Sequence, residues 1–362
     1  MNNNEKKARL IAFYLPQFYP ISENDKWWGK GFTEWTNVTK AKPLFKGHKQ
    51  PLLPADLGFY DLRVPETRDA QAELAAKYGI DGFCYWHYWF GNGKRILERP
   101  FNEVLHSGKP DYPFCLGWAN QTWSGVWHSA PNRILIEQKY PGKKDFEAHF
   151  YSILEAFQDK RYMSVDGKKI FLIYDPSNLP DAKAFTDQWR DLAAREGIKG
   201  LHFIAHNVTS NPEKYGCDAC VDNAPFLRTP LFSRGQIMTT INKITSRHRL
   251  PKIYSYADCV RYINNISLSD NQYSLVIPGW DNTPRSGIKG VVFKGSTPEL
   301  FKAMLTNAIK KIDNLAEFEN RIIFIKAWNE WAEGNYLEPD VKHGQAYLQA
   351  VKECITDNSS LE

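Results

Sequence analysis

"RIIFIKAWNEWAEGNYLEP", Arg321 to Pro339, runs an apolar stretch of isoleucine and phenylalanine straight into a loop holding two tryptophans, two glutamates three apart, and a glycine. A short, continuous apolar run with a polar boundary is the pattern of a strand covered on both faces. Ionised groups are costly to keep beside indole rings. Glu330 and Glu333 at such a strand end therefore ask for an explanation.

Working outward, the same unit recurs along the chain. Apolar runs predict strands at Leu10 to Leu15, Ile80 to Trp86, Phe114 to Trp118, Ile170 to Tyr174, Leu201 to Ala205, Ala219 to Asp222, Tyr273 to Pro278 and Arg321 to Lys326. Amphipathic stretches between them predict helices at Pro65 to Tyr78, Ile96 to His106, Lys144 to Gln158, Asp181 to Glu196, Asn211 to Tyr215, Ser255 to Asn265, Thr297 to Leu315 and His343 to Ile355. Start signals support several, as in Ser296-Thr297-Pro298-Glu299, where a hydroxyl cap precedes proline and an acid.

Alternating strands and helices of this number predict a parallel sheet closed into an α/β (β/α)8 TIM barrel with elaborated loops at its C-terminal face. One catalytic barrel domain over 1–362 is expected, with a long inserted loop at about 16–65. An open doubly wound sheet is the rival. No glycine-rich phosphate fingerprint opens the first helix, and the first strand leads into "LPQFYP" instead.

Barrel enzymes carry their active sites on the loops that leave the C-terminal strand ends. Here those loops read "WWGKGFTEW" (27–35), "HYWFGNGKR" (87–95), "ANQTWSGVWH" (119–128), "DPS" (175–177), "HN" (206–207), "DN" (222–223), "GWDN" (279–282) and "AWNEWAEG" (327–334). Indole, imidazole, amide and carboxylate groups at every strand end suit a carbohydrate pocket, where rings stack on sugar faces and polar tips bond hydroxyls. Aromatic residues make up 14% of the 362, which serves either such a pocket or a large core.

Composition narrows the classes further. Forty-six basic residues face 41 acidic ones, a net charge of +5 without the clustered basic stripe of a nucleic-acid binder, so no nucleic-acid partner is expected. The start, "MNNNEKKARL", is polar, and the apolar run after it stops at Pro16. No signal peptide or membrane span is legible, and a cytoplasmic location is the expectation. Six scattered cysteines fit reduced thiols. Cys217 and Cys220 form a lone CxxC, read as two buried thiols in preference to a zinc or redox pair. No HExxH, DxDxDG or His/Cys cluster calls for a metal, and no cofactor is expected.

Glu330 and Glu333 become neighbours if their loop opens a helical turn. Two carboxylates that close titrate apart, which supplies an acid and a base in one site, as glycoside cleavage requires. An ExxE pair is also common on solvated helix faces, but the flanking Trp328, Asn329, Trp331 and Gly334 describe a different environment. Asp175, Asp222 and Asp281 read either as substrate contacts or as caps. His87 and His206 read equally as hydroxyl contacts or structural imidazoles. Trp27, Trp28, Trp35, Trp86, Trp118, Trp123 and Trp280 are candidates for sugar stacking, and Tyr14, Glu34, Asn120 and Asn329 for hydroxyl contacts; Trp331, between the two acids, joins the candidate substrate-binding set.

The stretches "FYLPQFYPISENDKWWGKGFTEWTNVTKAKPLFKGHKQP", "LPADLGFYDLR", "YGIDGFCYWHYWF" and "AWNEWAEGNYLEP" resemble the WbsX family, also described as glycoside hydrolase family 99-like. The resemblance runs from about Ile11 to about Tyr347. It implies a (β/α)8 barrel and a link to family 99 endo-acting α-mannosidases and α-mannanases, whose catalytic segment similarly reads Asn-Glu-Trp-x-Glu-Gly before Glu-Pro. By that likeness Glu330 matches the carboxylate that deprotonates the sugar 2-hydroxyl, and Glu333 matches the acid that protonates the leaving oxygen and later activates water.

Two positions depart from the pattern. Ala332 stands where family 99 has a histidine, and Gln121 stands where many relatives have a glutamate. Members are also described as glycosyltransferases of surface-polysaccharide assembly. The expected function is therefore a retaining glycoside hydrolase acting on an α-linked, mannose-containing or related surface glycan. The alternatives are a glycosyltransferase and a non-catalytic glycan-binding barrel. An oligosaccharide or polysaccharide is the expected partner in each case.

Overall fold

The computed structural model describes residues 6–125, 130–222, 250–313, 315 and 317–356. Val126, Trp127 and His128 of the third-loop stretch and Asn223 of the sixth lie outside them. Eight parallel strands form the central sheet: β1 (Arg9–Tyr14), β2 (Gly82–His87), β3 (Phe114–Trp118), β4 (Lys168–Ile173), β5 (Leu201–His206), β6 (Ala219–Val221), β7 (Ser274–Val276) and β8 (Ile322–Ile325). Their spatial order is β7-β8-β1-β2-β3-β4-β5-β6. A parallel bridge between Cys220 and Gln272 joins β6 to the start of β7 and closes the ring. The chain is thus a (β/α)8 barrel.

The strands are nearly continuous apolar runs because both faces are covered, the inner by the barrel and the outer by helices. Alternation within each strand sorts the rings. Phe13 stacks on Trp86 at 4.9 Å and on Phe324 at 5.3 Å, and His206 meets both Phe13 and Trp86 edge-on, so these fill the interior. Gly117 leaves room for them: a Cβ there would lie 3.1 Å from the Trp86 ring. One residue on, His87 and Trp118 point the other way and pack against His149.

Two helices lie in the first loop, α1 (Ser22–Trp28) and α2 (Glu34–Lys40). The outer layer comprises α3 (Pro65–Lys77), α4 (Arg99–Ser107), α5 (Lys143–Tyr151), α6 (Ala182–Arg195), α7 (Tyr256–Asn265), α8 (Pro298–Ile312) and α9 (Ala346–Ile355). Caps set their starts: Asp181 accepts from the Ala184 amide, Ser255 from Asp258 and Thr297 from Leu300. Phe185 and Trp189 of α6 bury their rings against β4 and β5, Trp189 lying 4.7 Å from Phe171.

Five predicted helices differ from the observed ones: Asn211 to Tyr215 is a 3-10 turn over Pro212–Tyr215, and the helix expected over Thr297 to Leu315 ends at Ile312. The α4 helix begins at Arg99, not Ile96, because Leu97 has φ of +59° and its side chain closes a small apolar cluster with Tyr19, Tyr88 and Phe90. The stretch from Lys144 to Gln158 breaks after Tyr151, where the Ser152 hydroxyl donates to the His149 carbonyl, and resumes at Leu154–Gln158. The last helix starts at Ala346, after a turn in which Asp340 accepts from the His343 amide. The six cysteines are free and buried, and burial pushes the Cys217 and Cys220 thiols up to about 12 and about 11.

Candidate active site

Loops one, seven and eight converge over the C-terminal mouth of the barrel. After β8 the chain makes a two-residue antiparallel ladder, Asn329 opposite Tyr336 and Glu330 opposite Asn335, closed by a 3-10 turn over Trp331–Glu333. Gly334 ends that turn at φ of +62°, and a Cβ there would lie 2.8 Å from the Asp281 amide nitrogen. Both the conformation and the close approach call for glycine.

Asn329 is fully buried and ties loop eight to loop one. Its Oδ1 accepts from the Leu15 amide at 2.7 Å, and its Nδ2 donates to the Leu15 carbonyl at 3.0 Å. The Trp331 indole stacks on Tyr336 at 3.8 Å and donates to Glu338. Burial raises Glu338 to about 7; it also accepts from Gln71 and Tyr60, so a buried polar brace supports the turn from below.

Loop seven supplies the cation. A short helix, Thr283–Ser286, carries Arg285 into the mouth. Its Nε donates to Glu34 at 2.7 Å, its Nη2 to Glu330 at 2.9 Å and its Nη1 to Glu333 at 2.6 Å. Three acids from two loops thus share one planar fork, whose geometry matches carboxylates. Glu34 heads α2, is fully buried, and also accepts from Gln17 at 2.7 Å.

The electrostatics follow from this crowding. Burial disfavours the Glu330 anion, Glu333 and Glu34 repel it and Arg285 attracts it; the balance lifts its pKa to about 7. Burial works against the Arg285 cation too, but the three carboxylates outweigh it and hold the guanidinium protonated. Burial also lowers Lys326, whose ammonium lies 4.8 Å from the Trp280 ring centroid.

Glu330 and Glu333 open on a cavity of about 340 Å³. Four indoles, Trp28, Trp86, Trp123 and Trp280, wall it together with Tyr88 and Tyr174. The sequence proposed those tryptophans. Arg285, Lys326, Tyr88 and Tyr174 also line it and were not singled out. Their only sequence signal is position, just past strands seven, eight, two and four.

The other candidates lie outside the cavity wall. Trp27 meets Trp123 from behind at 6.1 Å. Tyr14 is buried and donates to Gln71. Trp35 donates to the Tyr60 carbonyl and packs beneath Trp331. Trp118, buried against Phe185, donates to the Trp89 carbonyl. His87 shares a hydrogen bond of 2.8 Å with His149, and burial holds both imidazoles well below their ordinary pKa.

Asn120 bonds the Asp175 backbone, and Asp175 accepts from the Ser177 amide and hydroxyl. His206 is fully buried inside the barrel, and Asp222 borders a separate small cleft beside α7. Asp281 serves as an anchor. Its Oδ1 caps the Thr283 turn, its Oδ2 accepts from His48 and Gln50, each at 2.7 Å, and its amide bonds the Glu333 carbonyl. It thereby fixes the turn that carries Arg285. Among the described residues no group of three or more His, Cys, Asp or Glu could hold a metal ion. No helix among them is long and apolar enough to cross a membrane.

Comparison with known proteins adds the lineage. The family model described as "Glycosyltransferase WbsX" matches residues 10–351. The uncharacterized protein WxcX of Xanthomonas campestris pv. campestris strain B100 is 38% identical over 360 residues, covering 96% of this chain and 50% of that protein; the strain ATCC 33913 protein matches equally. The chain thus spans about half the length of the curated relatives it matches. Among solved structures, a glycoside hydrolase-like protein aligns over 98% of this chain and 96% of its own, with a TM-score of 0.60 at 16% identity. The GH99 endo-alpha-mannosidase of Bacteroides thetaiotaomicron aligns over 96% of each chain, with a TM-score of 0.55 at 17% identity. Those likenesses speak to the barrel; the extent of the family match and the identity to WxcX show that this chain belongs to the WbsX family.

Proposed function

We propose that the chain is a carbohydrate-active enzyme that cleaves an α-linked, mannose-containing glycan, with Glu330 and Glu333 as its reacting pair. The observation that carries this is the opening of both carboxylates, joined by one guanidinium, onto a single indole-walled cavity. Glu330 takes the proton of the sugar 2-hydroxyl. The freed O2 bonds to C1 as the C1–O bond to the leaving group breaks, and Glu333 gives its proton to the departing oxygen. Water then attacks C1 as the C1–O2 bond breaks, Glu333 takes the water's proton, and Glu330 returns its own to O2. Two displacements at C1 retain the configuration.

One proton is shared by the pair throughout, so its net charge is constant and Arg285, bonded to both, balances it at every stage. A Glu330 carboxyl near 7 is a stronger base than an ordinary carboxylate, yet still substantially ionised at neutral pH. The test replaces each acid by glutamine and assays α-mannan and bacterial surface-glycan fragments. A loss of roughly 10²- to 10⁴-fold is expected for each. Unchanged turnover in both removes the proposal.

The family model's description favours a second reading, transfer from an activated donor. A melting temperature that rises with nucleotide sugars, with no hydrolysis, would put transfer first. Oligosaccharide binding that survives loss of both glutamates, with no product, would point to a binding barrel.

A further inference from the structure

A second cavity, of about 260 Å³, shares Trp280 with the first and is built from loops one, seven and eight and the strand leading to α8. Phe45, Phe293, Tyr336 and Tyr347 give it aromatic walls, and Phe45 is stacked on His48 at 4.3 Å. Three lysines, Lys49, Lys294 and Lys342, line it as exposed residues, and none makes an ion pair with a carboxylate among the described residues.

The cavity's own acids are turned to other donors. Asp281 accepts from His48, Gln50 and Thr283, while Asp340 accepts from the Tyr336 hydroxyl at 2.8 Å and from the His343 amide. The His48 Nδ1 accepts from the Leu44 amide, and burial holds His343 below its ordinary pKa. An aromatic cavity rimmed by three ammonium groups, beside a site with glycan chemistry, calls for a ligand that is both ring-shaped and negatively charged.

We propose that this second cavity binds an anionic sugar, its rings walled by Phe45, Tyr336 and Trp280 and its charged group held by Lys49, Lys294 and Lys342. The inference rests on the glycan reading above and adds that the substrate carries an acidic residue or a phosphate. A carboxylate belongs to a uronic acid within the glycan, a phosphate to an activated sugar.

Four probes test this by calorimetry on the native chain: methyl α-glucopyranoside, methyl α-glucopyranosiduronic acid, glucose 1-phosphate and UDP-glucose. The comparison protein carries Lys49→Ala, Lys294→Ala and Lys342→Ala together, all at exposed positions, with circular dichroism as the check that the fold is kept. At low salt the charged probes should bind roughly tenfold more tightly than the neutral one, as expected for several partly exposed charge pairs. That advantage should vanish in the triple variant and shrink at about 0.5 M salt, where such charges are screened.

A response to the uronic acid alone assigns an acidic glycan, and a response to the phosphates alone an activated donor; either supports the site. Equal binding of charged and neutral probes, or an advantage that survives in the triple variant, overturns it. The readout is binding, so turnover that persists in the glutamine variants of Glu330 and Glu333 would sink the hydrolytic reading and leave this result standing.

Discussion

Glutamine at position 330 should make the protein more stable above neutral pH while crippling the proposed chemistry. Burial and two neighbouring acids raise the Glu330 carboxyl from 4.5 to about 7 in the folded state. A carboxyl raised on folding contributes stability that is fully present below its unfolded value and is lost as pH climbs through the folded one. The window here is therefore from about 4.5 to about 7. A rise of that size corresponds to about 3 kcal/mol.

That balance already contains the attraction of Arg285 through its 2.9 Å bond to Glu330, and glutamine keeps an acceptor oxygen there without the charge. The net gain expected for Glu330→Gln at pH 8 is thus roughly 1 to 3 kcal/mol, a buried acid being held at the expense of stability. Urea denaturation followed by tryptophan fluorescence at pH 8 and pH 5 measures it. The two proteins should differ at pH 8 and converge toward pH 5, where the native carboxyl is protonated. A variant that is less stable at pH 8, or a gap of equal size at both values, refutes the reasoning.

If Glu330 is the base, kcat/KM on an α-mannoside should climb as pH rises through about 7, and a fall over the same interval would make Glu330 the acid. Arg285→Met strands three buried carboxylates and should cost roughly 3 to 5 kcal/mol at pH 8, less at pH 5 where Glu330 takes up a proton; denaturation at both values checks the sign. Trp118→Ala, which empties a fully buried site, should cost roughly 3 to 5 kcal/mol of stability. Trp123→Ala should instead weaken oligosaccharide binding, because that ring stands on the cavity wall; calorimetry and denaturation on both variants separate the two roles.

The barrel was legible because its strands are apolar on both faces. Runs such as Phe114–Trp118 and Ile322–Ile325 stand out from any polar surround. The same property hid the facing of each side chain. Trp86 and His87 are adjacent on β2, yet one lines the cavity and the other bonds His149 in the helix layer, and no polar alternation distinguishes them. That is why Trp118, His87 and Tyr14 read as sugar contacts and pack elsewhere.

The acid pair showed itself by local spacing, but its partner did not. Arg285 meets Glu34 across 251 positions of chain, a contact only the closed barrel creates. Asp281 looked like any acid at a strand end. Its caps and its bond to loop eight show it holding the turn under Arg285.

The claim on which the account depends is that Glu330 and Glu333 act as one unit on a glycosidic bond. A double-mutant cycle of Glu330→Gln and Glu333→Gln, read as single-turnover cleavage of an α-mannan oligosaccharide, tests it most directly. Each single change should slow cleavage at least about 10²-fold, and the double variant should be little slower than the worse single one, as for residues that work together. Cleavage by either single variant at close to the native rate, or losses that simply multiply, would contradict it.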